Sequence, residues 1–278
     1  MADPPVLASR RARRFGAGLA AGLVLGYSVR RGTQRLRPTL DRVAHRGGAA
    51  DAPENTLPAF TQARDAGIPT WELDVQLTTD DALVVFHDET LDRTSTGHGP
   101  LAGHTLAELE QLDAGAWFDS RWQGTRIPTL EQVIALAHTA PHGGARLLVE
   151  IKSPHLYPGI ERRLLSVLDT AGYTDRVIVM SFDGSSLARV RELAPVVPLC
   201  HLTGPSVLLP LHPAADAEVV GPYWQVPAFD PLVIALSHRA GRMVYPWTVD
   251  DLAAARWLRF WGIDSITSNR LDVLQALA

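Results

Sequence analysis

Two carboxylates one residue apart, Glu72 and Asp74, lie in the apolar run WELDVQL, and the run ALVVF soon after ends on His87 and Asp88. RLLVEIK ends on Glu150 and Lys152, and DRVA on His45 and Arg46. Alternate residues of a strand share a face, so Glu72 projects with Asp74, and Glu150 with Lys152. Two like charges on an inward face are costly without a cation. Three carboxylates with no cysteine beside them suit a hard divalent ion, Mg2+ or Ca2+, better than zinc. Lys152 is the only lysine among 26 basic residues. Its compact ammonium is a point charge toward phosphate, which a guanidinium is not. A buried ion pair, such as Glu150 with Arg46, would explain any single member of this set. It would not explain all of them at strand ends.

Elements that could bring these residues together follow from the pattern. From about residue 40, short β-branched runs alternate with amphipathic segments, the signature of βα units and a parallel sheet. NTLPAFTQARDAG reads as a helix capped by Asn55 and closed by Gly67. Six or more units in roughly 240 residues fit a (β/α)8 TIM barrel better than a doubly wound sheet. HRGG is too short for a dinucleotide fingerprint. WELDVQL and ALVVFHD are read as the second and third strands. Nearly sixty residues then precede RLLVEIK, carrying two capping-box signals, Thr105–Glu108 and Thr129–Gln132. A small helical insertion over about 90–130 is expected there, with Trp117, Phe118 and Trp122 packing locally. In such a barrel the C-terminal strand ends converge on one face, which carries the site.

Composition narrows the partners. Residues 1–37 carry eight arginines against Asp3 alone, a charge of +7, while the remainder holds 18 basic and 29 acidic residues, or −11. An acidic body argues against nucleic acid as a partner. Cys200, the only cysteine, lies in an apolar run and reads as an inert core residue. The chain is therefore divided into a basic, apolar segment at 1–38 and a barrel at 39–278. In the first, the uncharged stretch Phe15–Val29 is 15 residues, about 22 Å as a helix where a span needs about 20 residues. Arginines on both sides leave its orientation open. Membrane association through residues 10–37 and a cytoplasmic protein are the two expectations.

AHRGG…APENTLPAF, WELDVQLTTDDALVVFHDETLDRTSTG, LLVEIKS, SFD, PWTVDD and DSITSN resemble, in order, the glycerophosphodiester phosphodiesterase family over about residues 41–275. Asp81-Ala82 stands where that family usually has Asp-Gly, and residues 205–227 follow none of its patterns. The resemblance implies that Glu72, Asp74 and Glu150 are ligands of one divalent cation. It implies His45 as base and His87 as acid, with Arg46 and Lys152 on the phosphate. Trp247, ending the run MVYPW, either lines the pocket or is a core residue. The implied activity is hydrolysis of glycerophosphodiesters to glycerol 3-phosphate and an alcohol. A lysophospholipase D-type enzyme and a non-catalytic phosphodiester-binding barrel are the alternatives.

Overall fold

The computed structural model describes residues 40–204 and 213–278. The segment at 1–38, with its expected membrane role, lies outside the described residues. Among these, nine strands form: β1 (Asp41–Ala44), β2 (Thr70–Leu77), β3 (Leu83–Val85), β4 (Arg146–Ile151), β5 (Val177–Ser181), β6 (Leu199–Thr203), β7 (Val219–Pro222), β8 (Met243–Val244) and β9 (Ser265–Ser268). Eight of them run parallel in the order β8-β7-β6-β5-β4-β2-β1-β9, with helices in the connections. The result is the expected TIM barrel, closed except for a seam between β8 and β9. Asp264 bridges that seam, its carboxylate accepting from the Val244 amide at 2.7 Å and meeting His238 Nε2 at 2.7 Å. Farther along, the Val249 amide donates to the Thr267 carbonyl at 2.8 Å.

Alternation along the strands separates two packed regions. Trp71, Leu73, Val75, Leu147, Val149 and Val179 face outward and pack with the helices in the main core. Leu148, Ile178, Met180, Cys200, Leu202 and Tyr245 face inward and fill the lumen. Cys200 is thus a buried lumen residue, and burial, reinforced by Glu150, pushes its thiol up. On β2 the inward row is polar instead: Glu72, Asp74 and Gln76, all buried. β4 switches from apolar Leu148 to Glu150 within one step of that row.

The run expected as the third barrel strand is not one. β3 pairs antiparallel with β2, with Val85 opposite Val75, and stands off the barrel path. The five residues Thr78–Ala82 explain this, since a parallel return needs a crossover of a dozen or more residues. Thr78 and Asp80 close that turn by a 2.6 Å hydrogen bond, and Asp81 takes φ 60°.

The stretch at 90–130 is less helical than expected. Among the described residues it holds one four-residue helix, Leu106–Leu109, and 3-10 turns at Leu101–Gly103 and Ser120–Trp122. Thr105 forms its capping box there. The Thr129 box opens a different element, Leu130–His138, the helix that leads into β4. Val84, Phe86, Leu91, Leu101, Leu109, Ala114 and Ile127 make a small separate core under the stretch. Trp117 and Phe118 meet edge to face at 5.6 Å outside it. No described helix is long and apolar enough to cross a membrane.

Candidate active site

β1 stops at Ala44, and the chain turns at once through a 3-10 turn, His45–Gly47. Arg46 sits in the left-handed region at φ 51°, and Gly47 follows at φ 82°. A Cβ on Gly47 would lie 2.9 Å from Ala59 Cβ and from the Phe60 amide nitrogen. Only glycine lets this turn press against the helix Leu57–Asp65. Pairing of Ala44 with Trp71 then sets His45 beside Glu72, its Nε2 3.8 Å from the Glu72 carboxylate. The other ring nitrogen, Nδ1, lies 2.6 Å from Asn269 Oδ1. Asn269 Nδ2 donates to Asp250 at 2.7 Å, which fixes the amide and makes Nδ1 the protonated nitrogen. Nε2 is left with its lone pair toward the site. Burial, then the neighbouring Arg46, push His45 down to about 4.

Glu72, Asp74 and Glu150 have carboxylate oxygens within 4.8 Å of one another, and all three are buried. Asp74 and Glu150 are direct register partners on β2 and β4. Burial raises Glu72 well above the usual carboxylate range, and Asp74 and Glu150 add to it. Glu150 rises to about 7, from burial and then Asp74. Burial also pushes Asp74 up, but Arg46, His87 and Lys152 outweigh it and hold its carboxyl below the usual range. Three buried oxygen donors that resist sharing negative charge are what a hard divalent cation neutralises. The residues fit such an ion.

Asn55, expected as a helix cap, does something else. The helix starts at Leu57 with Thr56 in the cap position, and Asn55 stands before it at φ 58°. Its amide donates to Asp74 at 2.7 Å, orienting the carboxylate from behind. Asn and Asp tolerate this backbone region better than other non-glycine residues, which suits an Asn to the position.

The antiparallel return of β3 delivers His87 to the same place. Its Nδ1 meets Asp88 Oδ1 at 2.6 Å, and its Nε2 lies 3.2 Å from Lys152 Nζ. Arg93 grips Asp88 with Nε and Nη2 at 2.6 and 2.8 Å, and Glu54 at 2.9 and 2.8 Å. Glu54 also accepts from Arg46 Nη1 at 2.8 Å, so one chain of charged groups links Arg46 to His87. Arg93 hydrogen bonds chiefly hold Asp88 far below the usual carboxylate range. Arg46 Nε is buried without a hydrogen-bond acceptor, 3.5 Å from Asp74, and its backbone amide donates to Glu72 at 2.8 Å. Lys152 Nζ donates to Glu150 at 2.9 Å. Burial works against its charge, but Glu150 and Asp74 more than compensate and raise it.

His45, Arg46, Glu72, His87, Glu150, Lys152 and Trp247 line one cavity of about 110 Å3, and the Asp74 carboxylate lies within 4.8 Å of those of Glu72 and Glu150. The strand-end residues named in the sequence therefore lie together in the structure. Trp247 lines the pocket, tethered by its indole N–H to the Gly221 carbonyl at 2.8 Å, with Phe182 edge-on at 5.5 Å. Sequence reasoning gave no site role to Glu54, Arg93, Phe182 or Asn269, and preferred a helix-cap role for Asn55 over a contact with the site. All five lie in runs that carry the family resemblance, APENTLPAF, HDETLDRTSTG, SFD and DSITSN, but the runs alone gave them no partners.

The model of the glycerophosphoryl diester phosphodiesterase family matches residues 45–273. The chain is 37% identical over 235 residues to a glycerophosphodiester phosphodiesterase of Caldanaerobacter subterraneus, covering 84% of this chain and 95% of that one. It is 33% identical over 251 residues to a Bacillus subtilis glycerophosphodiester phosphodiesterase, covering 83% and 84%. Among solved structures, a phosphodiesterase of Oleispira antarctica in complex with the product sn-glycerol-3-phosphate superposes with a TM-score of 0.77 at 29% identity, over 91% of this chain and 98% of that one. A glycerophosphodiester phosphodiesterase of Agrobacterium tumefaciens gives 0.75 at 29% identity, over 85% and 99%. With the family match spanning most of the barrel and both ends of the catalytic face, the chain belongs to the glycerophosphoryl diester phosphodiesterase family.

Proposed function

We propose that this protein hydrolyses glycerophosphodiesters to glycerol 3-phosphate and an alcohol in a cation-dependent reaction. The observation that carries the proposal is a single cavity lined by two imidazoles, two cationic side chains and two carboxylates of the buried acidic cluster, with the third, Asp74, beside them. The product bound to the Oleispira antarctica phosphodiesterase supports the same substrate class.

Glu72, Asp74 and Glu150 would hold the cation, Mg2+ or Ca2+, which would supply Lewis-acid polarisation of the phosphate. Arg46 Nε and Lys152 Nζ receive the phosphate, whose charge grows in the transition state. His45 takes a proton on Nε2 from the attacking water, whose oxygen bonds to phosphorus and stays on glycerol 3-phosphate. As the bond from phosphorus to the alcohol oxygen breaks, His87 delivers a proton from Nε2 to it. Asp88, bonded to Nδ1, stabilises the imidazolium that this role requires. Each transfer is worth roughly 10²–10⁴-fold. Trp247 lines the cavity that receives the substrate. In this reading residues 10–37 are the part of the chain available for membrane association, and 39–278 carry the reaction.

A lysophospholipase D-type reaction at the same site is favoured by one observation, the half-exposed Phe182 packed on Trp247 at the pocket. Turnover of glycerophosphocholine and lysophosphatidylcholine by the full chain, with chelator and with Mg2+ or Ca2+ restored, separates the two. Activity on the first, lost with chelator and with His45→Ala or Glu72→Ala, is expected. Activity on neither substrate overturns the proposal.

A further inference from the structure

Gln76 is a polar side chain with no exposure to solvent, on the inward row of β2 two residues beyond Asp74. Its amide Nε2 donates to the Phe86 carbonyl at 2.9 Å and to the Asp88 carbonyl at 2.7 Å. Those two carbonyls flank His87. The β2–β3 ladder ends at Val85, and beyond it Gln76 supplies the donors that a strand would have given. Its Oε1 accepts from the Tyr157 hydroxyl at 2.6 Å, so the amide has one orientation and all three bonds are made.

Tyr157 is itself buried and lies in the segment that follows Lys152. Gln76 therefore joins the two segments whose side chains meet where His87 Nε2 faces Lys152 Nζ at 3.2 Å. A second tie between them, Ser153 Oγ to Glu89 at 2.6 Å, lies one residue beyond Lys152 on one side and two beyond His87 on the other. Ser153 takes φ 41° to make that turn.

From this geometry we infer that Gln76 and Tyr157 are positioning residues for His87: Gln76 holds its backbone from both sides, Tyr157 holds Gln76, and together they set its imidazole against Lys152. Neither touches the reacting atoms. A leucine or methionine would fill the same lumen volume but would leave two buried carbonyls without donors, and the segment would move to satisfy them. A misplacement of about 1 Å in a reacting group costs on the order of 10²-fold in rate.

The inference rests on the phosphodiesterase reading above, and a four-variant experiment tests the two separately. The full chain is assayed on glycerophosphocholine with cation as wild type, Gln76→Met, His87→Ala and the double variant. Gln76→Met is expected to lower kcat by roughly 10²-fold with KM within about twofold, since the phosphate-binding groups stay in place. In the His87→Ala background it should lower kcat no further, because it acts only through that imidazole. Tyr157→Phe, which keeps the ring in the core, should give a smaller loss of kcat with the same dependence on His87. Losses that multiply with His87→Ala, or an unchanged kcat with a lowered Tm, would overturn the inference and leave the function standing. A wild-type chain inactive on the substrate would sink both.

Discussion

Lys152 Nζ faces His87 Nε2 at 3.2 Å while donating to Glu150 at 2.9 Å. An ammonium has no lone pair to offer, so the imidazole nitrogen toward it is the acceptor and His87 rests neutral. In the proposed mechanism the pair joins a proton carrier to a phosphate ligand, and each constrains what the other does.

The first consequence concerns the chain's single lysine. The space between His87 and Glu150 fits a point charge that donates in two directions, whereas a guanidinium is planar and larger. Lys152→Arg is expected to lose about 10²-fold in kcat despite keeping its charge, close to Lys152→Ala. Steady-state kinetics on glycerophosphocholine checks this, and an arginine variant within about twofold of wild type would contradict it.

A second consequence is a pH dependence. Burial, together with Arg46 and Lys152 and against the pull of Asp74, holds His87 below its ordinary value. A bound phosphodiester neutralises Arg46 and Lys152, so the proton on His87 becomes easier to hold in the complex. An acid must be protonated to act, and its activity is lost as pH rises through its pKa. The alkaline limb of kcat should therefore lie at higher pH than that of kcat/KM. Coincident limbs would argue against His87 as the acid.

Cation binding should be linked to folding. Glu150 is raised to about 7, so without cation the folded state holds a proton that the unfolded state has released. That contribution to stability is complete below the ordinary carboxylate range and is lost as pH rises toward and through 7. A cation displaces the proton and binds more tightly as pH rises. The gain in Tm on replacing chelator with Mg2+ or Ca2+ should be larger at pH 8 than at pH 6. Thermal unfolding at both values measures it, and the reverse order would refute the acidic cluster as the cation site.

Deleting residues 1–38 should leave turnover of a soluble glycerophosphodiester unchanged and abolish co-sedimentation with phospholipid vesicles. The residues that line the proposed site all lie in the barrel, from His45 to Trp247. A deletion that fails to fold, or that binds vesicles as before, would refute the division proposed at residue 38.

Much of this was legible in one dimension. The (β/α)8 barrel followed from alternating periodicities, and the pairing of Glu72 with Asp74 from the two-residue repeat of a strand. Lys152 stood out because nothing else in the chain is a lysine. Three features were misread or invisible for identifiable reasons. ALVVF has the composition of a barrel strand, but the brevity of TTDDA forces it back antiparallel. Asn55 has the type and place of a helix cap, and only the proximity of Asp74 shows its amide turned inward. Arg93 and Glu54 lie 39 positions apart, and no periodicity relates them until the hairpin brings them into contact.

The sequence by itself determined which side chains share a face, because backbone geometry alone sets that period. Tertiary structure decided which faces meet. His45 reaches Glu72 through strand register, His87 reaches Lys152 through a hairpin return, and Glu150 completes the acidic cluster from a strand more than seventy residues on. Such neighbours are chosen by closure of the barrel and burial of its lumen, which depend on the whole chain at once.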